Sequence, residues 1–278
     1  MRTHTIPPFP APLRWALPAL LALAVACGGG PEALDAGSPD SGVPADAGQV
    51  DDAGQVDDAG QVDDAGQVDA GTPDSGVPEV VGVISGPCGE LDDELTSVMP
   101  STFQNVIDLV DGYTTADMGR LSEGAQEILR DGTAGGSSGL SEAFSFEVLH
   151  RCEGALLIKT ETEVLYDPPT SKKTDILIQI SDQRIGVSVT RAVGFPQDDP
   201  YSVTQAKDLL DKKLADILVS SANVEPADAW TKQILHIIAF GPMHADSLRA
   251  AELMVDPAVR ADTILWITVT DGDDLFLY

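Results

Sequence analysis

Basic side chains are scarce in this 278-residue chain. It carries 16 lysines and arginines against 45 aspartates and glutamates, a formal charge of −29. A protein so acidic does not hold DNA, RNA or anionic lipid by general charge attraction. Cysteine is nearly missing, at three residues, and aromatics make up only 5%, which excludes a cysteine-dense scaffold. No stretch reaches the roughly 18 uninterrupted apolar residues of a membrane span. A glycine-rich phosphate loop and a CxxC pair are also missing.

What charge there is falls into two regimes. Residues 1–78 hold 12 acidic and 2 basic side chains; residues 79–278 hold 33 and 14, a net −19. Within the first regime, Arg2 and Arg14 precede an apolar run over residues 15–26 (WALPALLALAVA) that is too short to cross a bilayer. It ends in small residues before Cys27 and the glycines 28–30. The string Leu23-Ala24-Val25-Ala26-Cys27 resembles the lipobox of bacterial lipoproteins, with Ala24 where that family usually has leucine. The resemblance implies a signal peptide over residues 1–26 and acylation of Cys27, by palmitate or similar chains. It also implies a lipid anchor in the cell envelope. The lack of aspartate at position 28 points to the outer membrane. An ordinary secretory peptide cleaved at the same small residues is the alternative.

After Cys27 comes a segment that cannot bury itself. AGQV recurs at Ala47, Ala53, Ala59 and Ala65, each copy followed by aspartate, and PDSGVP flanks the array at Pro39 and Pro73. Each six-residue unit offers one valine and no aromatic or leucine, so stacking would not offset the ordering entropy. The aspartate spacing matches neither an EF-hand loop nor the glycine-aspartate nonapeptide that binds calcium. Residues 27–78 read as a lipidated cysteine followed by a disordered acidic spacer.

The remainder reads as a folded domain. Residues 80–84 form a β-branched run. Residues 100–110 and 116–130 have helical spacing, so 79–139 reads as a helical extension of an α/β core over 140–278. In that core, 140–151 reads as a helix and 156–166 as a strand. Residues 175–180 and 184–192 read as a hairpin. Residues 203–220 are an amphipathic helix, with Lys207, Lys212 and Lys213 placed outward. Residues 233–240 and 263–270 are buried strands flanking a helix at 245–254, and 275–278 is a terminal strand. The fold class is α/β: a three-layer sandwich with a mixed sheet.

The core order αβββαβ resembles the restriction-endonuclease-like, or PD-(D/E)XK, superfamily over residues 140–270. Glu142 lies in the first core helix, where that family often carries a supporting acid. Asp175 opens the second strand, where it carries a metal-binding aspartate. The third strand reads Gly186-Val187-Ser188-Val189-Thr190-Arg191, so Ser188 stands for the family's carboxylate and Thr190 for its lysine. The family's hydrolysis uses Mg²⁺ held by carboxylates and an activated water. Ser188 supplies only a neutral oxygen and Thr190 no cation, and Arg191 points to the opposite face of the strand. This reading leaves the domain with no cofactor, acting as a non-catalytic binding or structural module whose partner is another envelope protein, not a nucleic acid. A metal-dependent hydrolase with an atypical Glu142–Asp175–Ser188 site, using Mg²⁺ on Asp175, is one alternative. A scaffold that contacts its partner through Trp230 and loop 224–230 is the other.

Other arrangements are weaker. GGSSG at 135–139 matches G-x-S-x-G but follows a helix, not a strand. His150 and Cys152, two apart on a helix, do not face each other. His236 sits in an apolar string and reads as a core or edge histidine, and His244 lies in the loop after it. With Cys27 consumed by lipid in an oxidising compartment, Cys88 and Cys152 form an even remainder and are expected to pair.

Replacing Cys27 with serine should move the protein from the membrane fraction to the soluble one. Retention of the variant through a carbonate wash would place the anchor elsewhere.

Overall fold

The two apolar runs at 233–239 and 264–269 lack alternation because both of their faces are covered. In the computed structural model, which describes residues 80–133, 138–197 and 199–278, they are neighbouring parallel strands, β6 (Lys232–Ala239) and β7 (Ile264–Gly272). The signal-like segment, Cys27, the repeat spacer and most of the GGSSG string lie outside the described residues.

Around β6 and β7 runs a seven-stranded mixed sheet, ordered β1-β2-β7-β6-β5-β4-β3. β5 (Gln183–Ala192) lies parallel to β6 and turns back into β4 (Ile176–Ile180), which pairs antiparallel with the edge strand β3 (Leu156–Thr160). On the other flank β2 (Ser101–Leu109) lies parallel to β7, and β1 (Val83–Ser85) closes that edge antiparallel. Helices α1 (Glu123–Asp131) and α2 (Gly139–Glu153) cover one face. Helices α3 (Val203–Asn223) and α4 (Pro242–Glu252) and the short α5 (Pro257–Arg260) cover the other. The result is a three-layer α/β sandwich, and the order αβββαβ runs from α2 through β6. Among the described residues no helix is long and apolar enough to cross a membrane.

Several elements differ from the sequence reading. Residues 100–110, expected as a helix, are strand β2, the neighbour of β7. Their alternation (Phe103, Asn105, Ile107, Leu109) is masked by Asn105, a polar side chain 1% exposed in a core row. The helix expected over 116–130 is broken. A 3-10 turn, Thr115–Arg120, ends before Ser122, whose side chain accepts from the Ala125 amide and starts α1. β3 stops at Thr160, because the Glu163 carboxylate takes the Thr160 amide at 3.0 Å and the chain turns. The terminal residues form a 3-10 turn, Leu275–Leu277, and not a strand.

α2 is not the one-sided helix its apolar spacing suggested, for residues 141–149 are all buried. One side meets the sheet and another meets α1, where a Cβ on Gly124 would stand 2.4 Å from the Phe146 ring. Buried Glu147 accepts from the Ser122 amide at 2.8 Å, fixing the start of α1.

Three successive residues at the end of α2 then seize the segment leading into β1 and β2. Arg151 donates to the carbonyls of Val81 (2.7 Å) and Gly82 (3.0 Å). Cys152 is disulfide-bonded to Cys88, with Cα atoms 4.5 Å apart, as the cysteine arithmetic expected. Glu153 accepts from the amides of Gly89 (2.9 Å) and Leu91 (3.0 Å). The bridge closes 64 residues of separation, which by the chain-entropy argument stabilises the fold by about 4 kcal/mol.

Candidate functional site

The residues matching the nuclease-like pattern converge where β4 begins. The Asp175 amide donates to the Val187 carbonyl at 3.0 Å, and its carboxylate Oδ2 accepts from the Val189 amide at 2.6 Å. Asp175 thus grips β5 on both sides of Ser188, which is 4% exposed. Thr190 is half-buried, two residues further along the same strand face. Arg191 points the other way and donates to the Leu277 carbonyl at 3.0 Å.

A cation missed in the sequence enters from α3. Lys213 was placed outward with Lys207 and Lys212, yet its Nζ donates to the Val189 carbonyl at 3.2 Å. Its charge acts on both Asp175 and Glu142. The signal for it lay in register: position 213 adjoins the inward Leu214 on the helix, and a lysine stem there can fold back over the sheet. The Val189 peptide group is therefore held from both ends, its amide by Asp175 and its carbonyl by Lys213.

Glu142 stands at the first turn of α2, 1% exposed, and its Oε1 has no hydrogen-bond partner among the described residues. Burial pushes its carboxyl up to about 7, against a hydrogen bond from Ser138; the Asp175 and Glu161 charges push the same way. Burial likewise raises Asp175 to about 6, opposed by Lys213 and the Val189 amide. Two carboxyls that resist ionisation, one ammonium and two hydroxyls make up the site.

This set does not fit the family's Mg²⁺ centre. Ser188 removes one charged ligand, and Oδ2 of Asp175 is engaged by a backbone amide. Among the described residues, the one trio of acids with ligand atoms within 4.8 Å of one another is Glu127, Asp131 and Glu163, all exposed. It includes neither Glu142 nor Asp175.

Of the other sequence candidates, His150, Cys152 and His236 have structural roles. His150 Nδ1 meets the Ala155 carbonyl at 2.8 Å, and Cys152 is spent in the disulfide. His236 is a core residue, bonded to Ser145 and Thr268 at 2.7 Å each. Trp230 packs against Val164, Tyr166 and Leu177, with its ring where a Cβ on Gly186 would go. It is half-buried and donates to Ser221 at 3.2 Å.

No protein-family model matches the chain, and no solved structure matches it. It is similar to the AAC-rich mRNA clone AAC4 protein of Dictyostelium discoideum, at 38% identity over 163 residues. The match covers 56% of this chain and 24% of that protein. The chain thus spans about a quarter of that relative's length, and the relative's name states no activity.

The raised carboxyls have a stability consequence. A native pKa above the unfolded one means that the folded state holds the proton longer, so stability is full at low pH and falls as pH rises. For Glu142 the window runs from its usual 4.5 to about 7, which corresponds to about 3 kcal/mol. Denaturant unfolding of Glu142→Gln between pH 4.5 and 8 should show a loss smaller than wild type by about that amount. Identical pH slopes in the two proteins would show that Glu142 ionises freely.

Proposed function

We propose that the protein is a lipid-anchored component of the bacterial cell envelope. In this reading an acidic spacer carries a nuclease-like α/β domain that acts as a binding or structural module. The lipobox-like string ending in Cys27 supports the anchor, and the αβββαβ order supports the nuclease-like ancestry. The observation that carries the non-catalytic reading is the Val189 peptide. The Asp175 carboxylate and the Lys213 ammonium, the groups that a phosphodiesterase would aim at metal and phosphate, both face this peptide group. Ser188 and Thr190 add no charge to replace them. The net −19 of residues 79–278 would also repel a polyanion. A partner in the envelope, not a nucleic acid, fits that charge.

A metal-dependent hydrolase is the second reading, favoured by the buried Oε1 of Glu142, which has no hydrogen-bond partner among the described residues. A buried carboxylate oxygen without a donor is costly unless something pairs with it.

The two readings part in a calorimetric titration with Mg²⁺ and Mn²⁺ alongside a plasmid-nicking assay. The expected outcome is no saturable heat at millimolar metal and no nicking. Nicking that needs Mg²⁺ and disappears in Asp175→Ala would establish the hydrolase.

A further inference from the structure

Helix α1 carries like charges in a row. Glu123, Glu127 and Asp131 follow one another at intervals of four residues, a spacing that stacks them along one side of a helix and costs stability. The one cation of α1, Arg130, bonds to Gln126 at 3.4 Å. Glu163, from the turn after β3, adds a fourth acid: carboxylate oxygens of Glu127, Asp131 and Glu163 lie within 4.8 Å of one another. Asp131 and Glu163 are held there by the Thr160 hydroxyl and amide. Glu123 and Glu127 are exposed and have no hydrogen bond or ion pair among the described residues.

These two glutamates border a groove of about 440 Å³ that runs between the start of α1, the last turns of α2 and the edge strand β3. Its lining includes no lysine or arginine, and the side facing the glutamates is apolar and aromatic, with Phe146, His150, Leu156 and Leu157. Phe146 and His150 are stacked, centroids 5.8 Å apart and planes 19° apart. Phe146 is buried, whereas the His150 ring is partly open, and its Nδ1 donates to the Ala155 carbonyl at 2.8 Å, which fixes its plane. Leu156 is 57% exposed, on a strand whose outer side pairs with no other among the described residues. A bulge between Leu157 and Lys159 interrupts the regular ladder of β3, so a segment lying there would be held by side chains more than by a continued sheet.

The start of α1 borders the groove, and a helix start favours anions. Here Glu123 supplies that negative charge from within the first turn, and the Ser122 hydroxyl takes the Ala125 amide. What is left open is a carboxylate rim over a stacked planar ring and two leucines. The chemistry complementary to it is a planar cation on an apolar stem. A guanidinium can pair with a carboxylate through two parallel hydrogen bonds while its face lies on a ring, which an ammonium cannot do. An exposed apolar side chain beside an acidic rim also suits a partner in which cationic and apolar residues alternate.

We propose that this groove docks an arginine-bearing, basic segment of a partner protein, laid in extended form along the edge of β3. A guanidinium would pair with Glu123 and Glu127 and lie against the His150–Phe146 stack, and a neighbouring apolar side chain of the segment would cover Leu156. The segment would relieve the repulsion along α1 that the free domain carries. The groove lies at the opposite end of α2 from Glu142. The inference rests on the reading of the domain as a binding module and names what it binds. The test below contains no metal and no nucleic acid, so its failure is distinct from a failure of that reading.

The test uses the full chain and a fluorescently labelled peptide with blocked ends, leucine-arginine-valine-arginine-leucine. Binding is read by anisotropy at about 150 mM salt, where general attraction to an acidic protein is screened. Saturable binding with a sub-millimolar dissociation constant is expected. Citrulline in place of both arginines keeps the shape without the charge and should abolish binding; lysine in their place should weaken it about threefold. Glu123→Gln combined with Glu127→Gln should weaken binding about tenfold. That variant should melt no lower than wild type, because a repulsion has been removed. Asp208→Asn combined with Asp246→Asn takes the same charge from exposed positions of α3 and α4, on the other face of the sheet, and should change affinity less than about twofold. No saturation by about 1 mM peptide, equal binding of the citrulline or lysine peptide, or equal weakening in the two charge variants would overturn the proposal.

Discussion

A chain of buried hydrogen bonds beneath α2 sets the register of this fold. Ser145 on α2 meets His236 Nδ1 on β6 at 2.7 Å, and His236 Nε2 meets Thr268 on β7 at 2.7 Å. Thr268 donates to Asn105 on β2 at 2.7 Å, and Asn105 donates back to the sulfur of Cys152 on α2 at 3.7 Å. The chain leaves the helix and returns to it two turns later, having crossed three strands. Because Thr268 donates onward, His236 must donate from Nε2 and accept at Nδ1, so every member is satisfied in one proton arrangement. Slipping any strand by one residue would turn its polar member to the other face and leave buried groups unpaired. An apolar core would pack here without fixing which strand lies beside which.

The sulfur on which the chain ends belongs to the Cys88–Cys152 bridge. The same interaction that orders the sheet therefore reaches the segment through which the acidic spacer joins the domain. Arg151 and Glu153, on either side of Cys152, bind that segment's carbonyls and amides. Since β1 is only three residues long, its place at the edge depends on these contacts more than on its ladder.

The parts of the fold that the sequence announces are those where one rule governs. The unbroken apolar runs of β6 and β7, the hairpin of β4 and β5 and the amphipathic α3 follow directly from period and burial. β2 was hidden because Asn105 serves the buried chain, and a functional polar residue in a core row looks like a break in alternation. His236 and Thr268 are the same kind of residue, legible only once their partners are adjacent. At the candidate site, Glu142, Asp175 and Ser188 could be named only through the resemblance to the nuclease-like pattern. Lys213 could not, because which lysine of a helix folds back over a sheet depends on tertiary placement.

These features share one cause. A central sheet covered on both faces leaves the polar residues on it, and on the helix faces packed against it, no access to water, so each must be paired or kept neutral. His236 is paired, while Glu142, on the helix above the sheet, and Asp175, beside β4, resist ionisation. The central claim is that the first of these, the buried chain, exists with His236 as its neutral hub. Burial holds its pKa down near about 3, with the Ser145 bond opposing. Long-range nitrogen-15 NMR of the imidazole nitrogens across a pH titration tests this directly. The account predicts a neutral ring with its proton on Nε2, unchanged down to pH 4. A titration midpoint above pH 5, or a proton on Nδ1, would contradict it.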